Sequence, residues 1–237
     1  MRRIRPTRLC RSWLFLEGAN EPVLRAATLS GADVLIQELE DFTSPAQRPA
    51  ARALGADLYG AWRAAGVVVA VRVNPLDRDG MEDLAAVMRG RPDIVALPKV
   101  AEPAHIVRLD EAVTRFERDY GIAEGSTALL PNIELARGLL QTHAIAKASP
   151  RTVACLMASE DLAADLGAER GPDGAELTYC RQRFIVECVA PAWSRSIAPI
   201  RSAMEKAWSA IRAGRTGSAM PRKASSIPRM PGSSMAS

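Results

Sequence analysis

PNIELARGLL, residues 131–140, is followed at residues 154–167 by ACLMASEDLAADLG. Each is an apolar run that meets a carboxylate and then becomes amphipathic, the pattern of a strand running into a helix. Glu134 closes the first run; Glu160 and Asp161 close the second. Two consecutive strands of a parallel sheet, each tipped with an acid, set those acids side by side at one mouth. Oxygen ligands and water would hold a hard divalent cation there.

The same unit repeats back toward the N-terminus. SWLFLEG (12–18), ADVLIQELE (32–40), VVVAVRVN (67–74) and IVALPKV (94–100) read as strands; TALLPNIE (127–134) and TVACLMAS (152–159) complete six. Helices are predicted over about 21–29, 46–65, 80–89, 103–120, 136–148 and 175–188. Asn20 suits a helix cap, Gly31 and Gly66 suit helix stops, and Pro103 suits a first helical turn. Continuous apolar strands alternating with amphipathic helices imply a parallel sheet covered by helices. No GxGxxG follows the first strand, so the dinucleotide-binding version lacks its fingerprint. Polar residues recur instead at the strand ends: Glu17, Glu40, Asp41, Arg72, Asn74, Lys99, Glu134, Glu160 and Asp161. A barrel gathers such ends around one axis, whereas an open sheet spreads them along an edge. The expected fold is therefore α/β, a TIM-type (β/α)8 barrel, incomplete, with six βα units and an irregular C-terminal tail.

Composition narrows the function. The chain has 237 residues, 48% of them hydrophobic and only 5% aromatic, enough for a substantial core of Ala, Val, Leu and Ile. No apolar run reaches the roughly 18 residues of a membrane span, and Trp13 to Leu16 is too short for a secretory core. The four cysteines form no CxxC, which points to a reduced cytoplasm, and two histidines exclude a His-rich zinc site. The formal charge of +4 is uneven: after Cys188 eight Lys or Arg face one acid, while residues 1–188 hold 23 basic and 26 acidic residues. No basic aromatic face accompanies the tail, so no nucleic-acid partner and no membrane partner are expected.

RSWLFLEG, GADVLIQELED, RVNP, ALPKV, IELARG and SEDLAADLG, in this order, resemble the HpcH/HpaI aldolase and citrate lyase beta-subunit family, from about Arg11 to about Cys188. The resemblance implies a TIM-barrel lyase that makes or breaks a carbon–carbon bond next to a carboxylate, 2-oxo acid or CoA thioester through a metal-stabilised enolate. It implies Mg2+ (or Mn2+), a small organic acid or acyl-CoA substrate, and a homo-oligomer where the barrel is intact. By the same resemblance Arg72 holds a substrate carboxylate, Glu134 and Asp161 are metal ligands, and Glu134 also touches substrate. Such residue types suit that chemistry. An enolate needs positive charge beside its oxygen, and an arginine fork orients a carboxylate. Glu17 stands where many relatives have proline, and Glu38 where aspartate is common.

Structural roles compete with each of these. Glu134 at a helix start also favours the helix dipole. Glu160 competes with Asp161 for the inward position, Asp161 could cap the following helix, and Asp165 reads as a helix-surface residue. Arg72 lies in an apolar strand, where a partner or a ligand must satisfy its charge. Lys99 could form a Schiff base, as in metal-independent aldolases, or pair with a neighbouring carboxylate, which is preferred. Glu40 and Asp41 suit a hydrogen-bond network better than direct metal binding. The cysteines and histidines read as structural or surface residues.

Two parts are expected: a lyase barrel domain over 1–188, incomplete, and a basic low-complexity tail over 189–237 with one helix near 201–212. The tail reads as out of frame. Back-translated with GC-rich codons and shifted, it resembles the family's continuation through strands seven and eight. The opposing reading is a non-catalytic truncated remnant or a structural partner of an intact paralogue. Resequencing the gene across the codons for Glu187 to Ser196 separates the two. A one-base displacement is expected; an unchanged sequence makes the tail genuine.

Overall fold

Residues 9–189 are described by the computed structural model. Within them β1 (Trp13–Glu17), β2 (Val34–Glu38), β3 (Val68–Arg72), β4 (Ile94–Leu97), β5 (Ala128–Ile133) and β6 (Leu156–Met157) pair in chain order, every pair parallel. The helices are α1 (Glu21–Ala26), α2 (Arg48–Ala64), α3 (Gly80–Val87), α4 (Pro103–Asp119), α5 (Ala136–Leu139), α6 (Thr142–Lys147), α7 (Ser159–Asp165) and α8 (Thr178–Val189). Six parallel strands curl into part of a barrel, consistent with a TIM-like α/β fold that is incomplete over the described residues. The tail expected after Cys188, its helix near 201–212 and its reading frame lie outside the described residues, apart from Val189 at the end of α8.

Continuous apolar strands are what a sheet buried on both faces requires, and β2, β3 and β4 are buried at every position. Alternation divides their side chains. Leu35, Val69, Val95 and Leu129 face the helices in one core cluster, while Ile36, Ala70, Ala96 and Leu130 face the interior in a second. The inner set ends upward in polar side chains: Glu38 follows Ile36, Arg72 follows Ala70, and Asn132 and Glu134 follow Leu130. Packing thus selects the face on which the site residues appear.

Local signals account for most element ends. The Asn20 side chain accepts from the backbone N–H of Val23, and prolines open α1, α2 and α4. Gly31 and Gly66 adopt left-handed backbone, as helix stops do. Two expectations need correction. The single helix expected over about 136–148 is two, α5 and α6. Gly138 sits so close to the Val100 carbonyl that a Cβ would collide with it. The Gln141 amide donates to the Ala101 carbonyl at 2.9 Å, anchoring the break to the loop before α4. The sixth strand is only two residues long. Leu129 bridges Thr152, yet Asn132 pairs with Leu156, so β6 carries one extra residue between those points, a bulge that reverses its alternation.

The first βα turn is the tightest join near the site. A Cβ on Gly18 would collide with the Glu38 carbonyl oxygen and crowd Leu39 and Thr43. Gly60, in the exposed face of α2, would meet nothing. Gly18→Ala is expected to destabilise by about 1–3 kcal/mol through overpacking, and Gly60→Ala to stabilise by up to about 1 kcal/mol through helix propensity. Thermal unfolding of the two variants checks the difference in sign.

Candidate functional site

Glu38 and Arg72 are register partners at the ends of β2 and β3. Arg72 Nε donates to Glu38 Oε1 at 2.8 Å, with both side chains buried. The other Glu38 contacts come from its own turn: the backbone N–H groups of Glu40 and Phe42 donate to its two oxygens at 2.7 and 2.5 Å. Thr43 ties that turn to β1, its hydroxyl accepting from the Gly18 N–H at 2.8 Å and donating to the Glu38 carbonyl. The Arg72 guanidinium lies 5.3 Å from the Phe15 ring centre and 5.6 Å from that of Phe42. Its terminal nitrogens sit 3.5 Å from Glu40 Oε2 and 3.5 Å from Glu134 Oε1. Burial acts to lower the Arg72 pKa, but the Glu38 and Glu40 carboxylates outweigh it and hold the group protonated.

Lys99 follows β4 in a left-handed conformation, φ 53°, uncommon for a residue with a side chain. Its Nζ contacts Glu40 Oε1, lies 3.2 Å from Asp41 Oδ2 and 3.9 Å from Glu134 Oε2. Burial alone would lower the Lys99 pKa; Glu40 and Asp41 raise it overall. An imine-forming lysine needs its neutral amine, so this environment favours the paired role. Glu40 and Asp41 accordingly serve the hydrogen-bond network.

Glu134 stands at the centre. It is fully buried, and neither carboxylate oxygen has a hydrogen-bond partner among the described residues. Desolvation raises its pKa to about 7; Arg72 and Lys99 pull it down, and Glu40 and Asp161 push it up. Asp161 lies in the first turn of α7, half-buried, close enough for its charge to act on Glu134. Its neighbour Glu160 is exposed and paired with Arg170 at 2.8 Å, away from the cluster. Asp165 is on the surface, and its Oδ2 accepts from the Ala136 N–H at 2.7 Å, bracing the turn after Glu134. The cluster thus gathers five carboxylates, Glu38, Glu40, Asp41, Glu134 and Asp161, around two cations, Arg72 and Lys99.

That excess of hard oxygen ligands, with the Glu134 oxygens free of hydrogen bonds at its centre, suits a divalent cation. Among the described residues no group of three or more His, Cys, Asp or Glu side chains is arranged to hold a metal. Glu134 and Asp161 would be a two-carboxylate set completed by water, the usual magnesium pattern.

Arg72, Glu134, Lys99, Glu40 and Asp41 come together; Glu160 stands apart. Glu38, Phe15, Phe42 and Asn132 are site neighbours that the motif reading did not assign. Parity in QELED was the available signal, since Glu38 shares the inward face with Ile36. None of the four cysteines is in a disulfide, and His105 Nδ1 accepts from the Ala101 N–H. A surface groove of about 370 Å³ on α4, lined by Asp110, Thr114 and Arg118, lies elsewhere. Its Asp110 and Thr114 are engaged by Arg151. No helix among the described residues is long and apolar enough to cross a membrane.

Comparison with known proteins identifies the family. The family model for HpcH/HpaI aldolase/citrate lyase matches residues 11–219, farther than the end near Cys188 expected from the motifs. Citrate lyase subunit beta of Escherichia coli K12 is 36% identical over 183 residues, 75% of this chain and 59% of the relative. An L-malyl-CoA/beta-methylmalyl-CoA lyase of Rhodobacter capsulatus is 33% identical over 182 residues, 73% of this chain and 56% of the relative. The chain thus spans somewhat over half the length of these curated relatives. Among solved structures, a citrate lyase beta subunit from M. tuberculosis, complexed with oxaloacetate and magnesium, superposes with a TM-score of 0.62 at 27% identity, covering 88% of this chain and 90% of that one.

The raised Glu134 pKa has a stability consequence for the metal-free protein. The ordinary value is 4.5 and the folded value about 7. Between them the folded chain holds a proton that the unfolded chain releases. The group's contribution is therefore intact below the ordinary value and is lost as pH rises toward the folded one. Glu134→Gln removes that loss. Above neutral pH the variant is expected to be more stable than wild type by on the order of 2 kcal/mol, with the gap closing in acid. Denaturant unfolding across this range tests it; parallel curves would contradict it.

Proposed function

Because the chain belongs to the HpcH/HpaI aldolase/citrate lyase family, we propose that it is a divalent-metal-dependent carbon–carbon lyase acting next to a carboxylate, 2-oxo acid or CoA thioester. The observation that carries this reading is Glu134: a buried carboxylate whose two oxygens accept no hydrogen bond among the described residues, with Arg72 3.5 Å away and Asp161 near enough to act on it. The relatives' names support the substrate class, a citrate lyase subunit, a malyl-CoA lyase and an oxaloacetate–magnesium complex.

In this reading Arg72 receives the substrate carboxylate on its terminal nitrogens. Its Nε is already committed to Glu38, and the Phe15 and Phe42 rings lie within cation–π range of its guanidinium. The fork is therefore oriented before substrate arrives, which saves reorganisation. Glu134 and Asp161 would hold Mg2+ or Mn2+. Held there, such an ion would supply positive charge beside a developing enolate oxygen. A Glu134 bound to the ion would stay ionised, so the proton would be carried by a neighbouring carboxylate that the ion does not hold. Lys99 fixes Glu40 and Asp41 and adds a second positive charge to the rim. A homo-oligomer and a small organic acid or acyl-CoA ligand accompany the proposal.

Turnover of L-malyl-CoA or a related short CoA thioester should vanish with chelator and return with Mg2+. Glu134→Gln and Asp161→Asn should each lower kcat/KM by roughly 100-fold or more. Arg72→Lys, which keeps the charge but loses the fork, should mainly raise KM. Chelator-resistant turnover with borohydride trapping at Lys99 would overturn the metal-dependent reading.

A further inference from the structure

The two proposed metal ligands stand on separate elements. Glu134 follows β5, and Asp161 lies in the first turn of α7, after a β6 of only two residues. So short a strand fixes α7 weakly. The ladder ends with Ile133 opposite Met157, and one more main-chain bond, from the Ala158 N–H to the Ile133 carbonyl at 3.1 Å, closes it. Beyond that point Asp165 spans the gap, its Oδ2 accepting from the Ala136 N–H at 2.7 Å. The two bonds bracket both ligands: Ile133 and Ala136 flank Glu134, and Ala158 and Asp165 flank Asp161.

Local helix physics does not call for an acid at position 165. Asp165 is the last residue of α7, where the helix dipole disfavours negative charge. It also follows Asp161 by four residues, a spacing at which like charges repel. A carboxylate kept against two local preferences has its use elsewhere. Its partner shows where. α5 begins at Ala136, and Leu135 before it makes no side-chain cap hydrogen bond. Asp165 satisfies that orphan donor from another helix. The turn it grips is itself anchored, because Gly138 lies against the Val100 carbonyl and Gln141 donates to the Ala101 carbonyl.

We infer that Asp165 is a positioning residue for the cation site: by tethering α7 to the turn after β5, it sets the separation of Glu134 and Asp161. The i, i+4 spacing puts Asp161 and Asp165 on one face of α7, so the tether acts on the face that carries the ligand. Magnesium demands near-ideal geometry, and the groups that orient its ligands set its affinity. The inference rests on the metal-dependent reading and adds to it a residue that touches neither metal nor substrate.

The test is the Mn2+ affinity of the full chain by titration calorimetry, with melting curves alongside. Asp165→Ala, which removes the acceptor, should bind Mn2+ at least about tenfold more weakly than wild type. Asp165→Asn keeps an acceptor oxygen and should stay within about threefold, since the exposed charge it loses is screened. Glu160→Ala cuts the pairing of the same helix with Arg170 and should stay within the same limit. An equal loss in Asp165→Asn overturns the inference by making the effect one of charge. An equal loss in Glu160→Ala overturns it by making the effect one of helix stability. If Asp165→Ala does not fold, Ala136→Pro carries the same test from the other end. It deletes the N–H donor, and proline suits a first helical position after the extended Leu135. A folded wild type that takes up no Mn2+ ends the metal reading and this inference with it. Wild-type uptake that loss of the hydrogen bond leaves intact ends the inference alone.

Discussion

A guanidinium buried at the end of a sheet strand must be neutralised or it unfolds the strand. Arg72 meets that demand through Glu38, its register partner on β2, at 2.8 Å. Removing one member of such a pair leaves an uncompensated buried charge, a loss of about 3–5 kcal/mol. The pair also shapes what surrounds it. Glu38 can accept from Arg72 only because the following turn folds back and donates two backbone N–H groups to the same carboxylate. That turn brings Glu40 and Asp41 to Lys99 and sets the Phe42 ring beside the guanidinium. The close packing of Gly18 on the Glu38 carbonyl closes the arrangement from β1.

Burial of the mouth weighs most heavily on Glu134, and Arg72 and Lys99 offset it only in part. The result is a pKa near neutrality and two oxygens that accept no hydrogen bond among the described residues. In the proposed reading, a site shaped for a cation and an anionic substrate is unfavourable without them. Stability is given up at these positions and recovered in the apolar strands beneath.

The fold was largely legible because its cause is local and repeated. Buried parallel strands must be apolar on both faces, and VVVAVRVN and IVALPKV announce that directly. Two features were hidden for reasons of register. The bulge between Thr152 and Leu156 depends on pairing with β5, so nothing within TVACLMAS reveals it. It leaves the choice between Glu160 and Asp161 open in the sequence; the surface pairing of Glu160 with Arg170, ten residues on, turns that acid away. The break between α5 and α6 likewise depends on Gln141 reaching Ala101, forty residues earlier. At the site, Arg72 and Glu134 stood out as charges in apolar runs. Glu38 did not, because it sits in the run QELED among other polar residues.

The central claim is that Glu134 and Asp161 together bind one divalent cation, and Mn2+ titration followed by electron paramagnetic resonance tests it most directly. The account predicts loss of the free Mn2+ signal at one equivalent per chain for wild type, competed by Mg2+, and no such loss for the Glu134→Gln, Asp161→Asn double variant. Equal Mn2+ uptake by wild type and the double variant, or none by a folded wild type, would contradict it.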